Sequence, residues 1–167
     1  MKKFYAGIGS RETPIKLQEE INKIVELLNK HKYILRSGGA VGADIMFEKN
    51  TILKEIYLPW KGYNKNESLL FNDNKEGWEM AEKYHPAWHK LTLGAKKMMV
   101  RNCYQILGFN LNEPVDFVIC WTKDGKASGG TGQALRITKD LNIPIYNLYN
   151  QGIYIEIYKK LNTISLF

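Results

Sequence analysis

Apolar residues come in two rhythms along this chain. Short continuous runs at residues 4–8, 33–35, 55–58, 117–121 and 143–148 alternate with longer stretches of helical spacing. A short apolar run bounded by Gly or Pro has the pattern of a strand covered on both faces. Pro59 stops the third run, and Gly9 closes the first. Between runs, Leu17, Ile21, Ile24, Val25 and Leu28 share one face of a helix over 15–30, with Pro14 where a first turn tolerates it. Similar patterns predict helices over 42–50, 93–107, 132–141 and 153–161. In the last, Tyr154, Ile157, Tyr158 and Leu161 fall on one face. Residues 60–90 are polar, aromatic and irregular, and read as an inserted segment with a short helix near 76–84.

Strand and helix therefore alternate as βαβαβ, an irregular segment with a helix, then βαβα. This order predicts an α/β fold, a doubly wound, Rossmann-like parallel sheet of about five strands in a single domain. Ligands of such sheets sit at the carboxyl ends of the strands. Three glycine-rich turns fall there: Gly7-Ile8-Gly9-Ser10-Arg11, Ser37-Gly38-Gly39-Ala40-Val41-Gly42-Ala43-Asp44 and Ser128-Gly129-Gly130-Thr131-Gly132-Gln133. A turn of this kind leaves bare N–H groups at a helix start, where the helix dipole also favours an anion. Together they predict one pocket for a phosphorylated ligand.

The candidate ligand-binding residues follow. Gly38, Gly39, Gly42, Gly129, Gly130 and Gly132 allow close backbone approach to a phosphate, as does Gly9. Ser10, Ser37, Ser128 and Thr131 offer hydroxyls at helix starts, where capping is the competing role, and Gln133 at the end of the third turn is a further candidate ligand contact. Arg11 and Arg101 are candidate phosphate clamps, since a guanidinium meets phosphate with a planar fork. Arg36 precedes the second turn with its direction unassigned. Asp44, in a first helical turn, either complements the dipole, binds a ribose hydroxyl or acts as a base. Asp124 lies in a turn after the fourth strand. Trp60, Tyr63 and Trp121 stand near strand ends, where base stacking and core packing are both open to them. His85 and His89 lack a carboxylate or cysteine partner nearby, so neither a metal nor any other cofactor is expected.

Composition narrows the class. The 167 residues are 44% hydrophobic and 25% charged, as in an ordinary globular protein. No apolar run approaches a membrane span, and the apolar start ends too early for a signal peptide, so a cytoplasmic location is expected. Two cysteines, Cys103 and Cys120, are too few for a disulfide framework, and Cys120 reads as a buried free thiol. The net charge of +7 favours anionic partners, but the lysines are scattered and form no dense basic run.

The run from Ser37 to Asp44 resembles the first motif of the DNA-processing protein A (DprA) family. Met99-Val100-Arg101-Asn102, followed by a strand and Gly129-Gly130-Thr131-Gly132, resembles the Lonely Guy (LOG) phosphoribohydrolases. Both families belong to the SLOG superfamily. The resemblance implies a Rossmann-like fold, a nucleotide or nucleotide-derived ligand on the glycine turns, and a homodimer. It leaves hydrolysis of a nucleoside 5′-monophosphate and binding of single-stranded DNA as alternatives. Two departures bear on these. The Lonely Guy signature has threonine and glutamate where Gln133 and Arg136 stand here, so its catalytic carboxylate is missing, and an arginine cannot replace it. Asp44, Glu48 and Asp124 are the remaining carboxylates, with Arg101 the matching cation. In the DNA-processing motif, Val41 takes the place of a basic residue and Glu48 lies near that of a histidine.

Overall fold

In the computed structural model, which describes residues 1–163, β1 (Lys3–Gly9) is the central strand of a five-stranded sheet. The chain leaves it through a short 3-10 turn (Ile15–Leu17) and α1 (Gln18–Lys30) to β2 (Tyr33–Ser37), then through α2 (Ala43–Glu48) to β3 (Lys54–Ile56). It crosses back by α3 (Lys75–Tyr84) and α4 (Leu93–Leu107) to β4 (Phe117–Trp121) on the other side of β1. It then runs through α5 (Thr131–Asp140), β5 (Ile145–Asn147) and α6 (Ile153–Thr163). The lateral order is β3-β2-β1-β4-β5, and every pairing is parallel. This is the doubly wound, Rossmann-like arrangement, with its switch point between β1 and β4.

Strand alternation explains the two cores. Tyr5, Leu35, Phe117 and Ile119 point to one face and meet Ile21, Ile24, Phe47, Ile157 and Leu161 of α1, α2 and α6. Phe4, Ala6, Ile8, Val118 and Cys120 point to the other and meet Val100, Cys103, Ile106, Leu135 and Ile137 of α4 and α5. All five residues of β4 are buried, which is why that run lacks polar alternation. Cys103 and Cys120 are buried free thiols, and burial pushes both up to about 12. Among the described residues no helix is long and apolar enough to cross a membrane.

The structure corrects the sequence reading in detail. Helix α1 begins at Gln18 because the preceding residues form the 3-10 turn, with Ile15 exposed. Strand β5 is cut to three residues, and Tyr158 of α6 faces solvent. Residues 60–90 hold more order than their pattern suggests. Asn74 caps α3 by accepting from the Gly77 N–H at 2.8 Å, and α3 packs against α4 and α5. Arg36 turns away from the glycine turns. It is 1% exposed, bonds Glu55 at 2.7 Å and Glu113 at 2.6 Å, and stacks 3.8 Å over Phe4.

Candidate functional site

A cleft of about 420 Å³ opens at the carboxyl ends of β1 and β4. Gly9, Ser10 and Arg11 enter it from the turn after β1, Asp44 from α2, Arg101 from α4, and Ser128, Gly129, Gly130 and Thr131 from the start of α5. These residues come from all three glycine turns. The turns also brace each other. Gly42 has a φ of +92°, and any side chain on it would collide with the Ser10 carbonyl. A side chain at Gly38 would displace the Arg101 guanidinium.

The start of α5 has the features of an anion cradle. Gly130 caps the helix without any side-chain bond. Among the described residues, the N–H groups of Gly129, Gly130 and Thr131 donate to no backbone or side-chain acceptor. The helix dipole adds to these free donors. Two cations stand at the rim. Arg11 is exposed and reaches the Tyr63 hydroxyl at 3.4 Å, and Lys123 lies 3.5 Å from Glu12.

Arg101 is placed differently from a free phosphate clamp. It is 6% exposed and donates from Nη1 to the Gly38 carbonyl and from Nε to Asn102 Oδ1 at 2.9 Å. Its Nη1 lies 3.9 Å from Asp44. Burial holds Arg101 below the usual guanidinium value, against the pull of Asp44. Burial also pushes Asp44 up to about 6, opposed by Arg101 and by backbone N–H groups of Ala40, Gly9 and Gly38. Both shifts have one cause, a charge pair removed from water in the cleft wall.

Several expected residues are elsewhere. The Ser37 hydroxyl is buried and donates to the Gly7 carbonyl at 2.6 Å. Gly39 leans on Leu58, and Gly132 packs on the Ala127 carbonyl. Gln133 is fully buried and points away from the cleft, with Nε2 donating to Ala81 O of α3 at 2.9 Å. Arg136 donates to Tyr84 O at 2.8 Å and to Gln133 Oε1 at 2.9 Å. The two residues that depart from the Lonely Guy signature thus form the seam between α5 and α3. Asp124 lies outside the cleft and closes its own turn, and bonds from the Lys126 N–H and the Ser128 hydroxyl hold it below the usual carboxylate range. Glu48 binds Asn66 and Lys54 in a separate groove by β3. Trp121 is buried, and Trp60 packs edge-on to Tyr63 at 5.2 Å. His85 accepts from the Ala87 N–H at 3.2 Å.

Sequence reasoning missed Asn102 and Gln105, polar residues of α4 that line the cleft. Asn102 links the two sides of the site by donating to Gly130 O at 3.0 Å. The available signal was an Asn and a Gln three residues apart on a mostly apolar helix face.

The sequence matches no protein-family description and no curated protein. Among solved structures, the fold is similar to that of DNA processing protein A from Helicobacter pylori, which is described as binding single-stranded DNA. The TM-score is 0.61 over 97% of this chain and 80% of that one, at 17% identity. At that identity the likeness establishes a common Rossmann-like fold.

Proposed function

We propose that the cleft binds a nucleotide, or a nucleotide-derived phosphorylated small molecule, in the manner expected of the SLOG superfamily. The observation that carries this reading is the cradle of unbonded N–H groups at Gly129, Gly130 and Thr131 beside Arg11 and Lys123, at the switch point of the sheet. The phosphate sits on the start of α5 with Arg11 and Lys123 at its outer side. Arg101 acts from beneath: it holds the Gly38 turn and Asn102 in place, and its charge is balanced by Asp44.

N-glycosidic hydrolysis fits less well. Gln133 and Arg136 are occupied with α3, and the carboxylates lining the cleft are Glu12, paired with Lys123, and Asp44, paired with Arg101. A second reading, binding of single-stranded DNA, draws on the DNA processing protein A neighbour and on the +7 charge. In that case the cleft holds one nucleotide unit of a longer strand.

Calorimetric titration of nucleoside 5′-monophosphates and of a short single-stranded oligonucleotide tests both. The expected result is saturable mononucleotide binding that weakens roughly tenfold in Arg11→Ala, the loss of one charge-assisted hydrogen bond. Binding of the oligonucleotide alone makes the second reading the correct one. Silence with both ligands overturns the cleft as a phosphate site.

A further inference from the structure

Gln105 stands on α4 one turn beyond Arg101, beside Gly38. It is only 2% exposed, yet it lines the cleft. Among the described residues its carboxamide makes no hydrogen bond to the protein. No side-chain nitrogen or oxygen among them is both sealed from solvent and unbonded, so this carboxamide opens into the cleft. A carboxamide has two donors and an acceptor, and burying them without partners is costly. Its polar neighbours, by contrast, are each already tied to a partner. Arg101 bonds Gly38 and Asn102, Asn102 bonds Gly130, and Asp44 faces Arg101.

The cleft therefore has two chemically different ends. The start of α5 offers uncompensated donors to an anion. The Gln105 end holds a balanced charge pair and a neutral group that both donates and accepts. A phosphate would meet the acceptor half of that group and the nearby Asp44 carboxylate unfavourably. The cleft is also lined by Ile8, Met98 and Met99, with Met98 Sδ 3.9 Å from Arg11 Nη2. Methionine sulfur packs well against aromatic rings and adapts to their shape. A nucleobase has these properties: apolar faces and an edge where donor and acceptor stand side by side. Glutamine is a well-matched partner for such an edge.

We propose that Gln105 is the specificity-determining residue of the cleft, reading the donor–acceptor edge of a nucleobase whose ring packs against Met98 and Met99. This inference rests on the nucleotide reading above and adds the part of the ligand that is selected. It requires the base to contribute to affinity, and to do so through Gln105.

The test compares AMP, CMP, GMP and UMP with ribose 5-phosphate, which has the same phosphate and sugar without a base. Each is titrated into the wild type and into Gln105→Met, which keeps side-chain length and removes the amide. In the wild type, at least one nucleotide is expected to bind tenfold or more tighter than ribose 5-phosphate. Gln105→Met is expected to lose at least fivefold for that nucleotide, while ribose 5-phosphate stays within twofold. A variant that keeps the full preference overturns the inference, as does a wild type that binds all five ligands equally. Both results leave the phosphate site standing. Failure of all five ligands to bind the wild type overturns the nucleotide reading itself. Should Gln105→Met not fold, the wild type decides with the tightest-binding nucleotide and an analogue whose base lacks the exocyclic donor or acceptor. An undiminished affinity for that analogue overturns the inference.

Discussion

At the residue scale, the cleft differs from its sequence pattern because charged side chains were assigned by motif position while their partners lie far along the chain. Arg101 looked like a free clamp, but its bonds go to Gly38 and Asn102, and its counter-charge is Asp44, 57 positions away in the numbering. No local rule pairs residues so far apart. The pair carries a pH signature. Asp44 titrates near 6 in the folded chain against 3.8 for an ordinary aspartate. The folded state therefore holds a proton that the unfolded chain has released between these values, so Asp44 favours folding below pH 4 and loses that contribution as pH rises through 6. The same titration acts on binding. Protonating Asp44 leaves the Arg101 charge uncompensated, so an anion should bind more tightly as pH falls from 7.5 to 5.5, by roughly three- to tenfold for one nearby charge. A dinucleoside monophosphate suits the measurement, because its phosphodiester does not titrate in that range. The gain should vanish in Asp44→Asn, and a wild type with flat affinity would remove Asp44 from the electrostatics of the cleft.

Elements were more legible than residues. The continuous run Phe117–Trp121 and the helix Leu93–Leu107 match their patterns residue for residue, because burial on both strand faces and a long amphipathic period leave strong signals. Helix α3 was legible only as a short helix inside an irregular stretch. What orders the region is tertiary: the Tyr104 hydroxyl receives the Asn74 N–H at 3.0 Å, and Gln133 and Arg136 reach across from α5. Those two residues sit at positions where a related signature would place site residues; Gln133 was therefore a candidate ligand contact and Arg136 a lost carboxylate, while the fold uses both as a seam. Gln133→Ala removes a buried bond to the Ala81 carbonyl, which keeps only the His85 N–H, and takes away the acceptor of Arg136 Nη2. It is expected to cost about 1–3 kcal/mol of stability, read from chemical denaturation, with mononucleotide affinity unchanged. A stable variant with lost affinity would return Gln133 to the site. Arg136→Glu, which writes the missing carboxylate back into the signature, is expected to lower the melting temperature and to release no free base from any nucleotide. Its carboxylate would confront the Tyr84 carbonyl without opening onto the cleft.

At the scale of the whole molecule, the parallel sheet and its switch point follow from the alternation of apolar runs and amphipathic helices, so the location of the cleft was legible before its contents. What charge does there is a separate matter. The net +7 is spread over scattered lysines, and the exposed cations that line the cleft are Arg11 and Lys123. The slope of log affinity against log salt counts the phosphates that are neutralised, at about 0.7 for each in a single strand. If an oligonucleotide engages only the cleft, two cations set a slope near −1.4, and Arg11→Ala should bring it to about half that value. If the strand runs on across the lysine-bearing surface, the slope should be about −3 or steeper, and Arg11→Ala should remove only a small part of it. Mononucleotide affinity in the same titrations should fall less steeply with salt in either case, because a mononucleotide carries no condensed counterion atmosphere to release. A shallow oligonucleotide slope with tight mononucleotide binding would make this a small-molecule protein with a basic exterior, and a steep slope with weak mononucleotide binding would make the exterior itself the nucleic-acid interface.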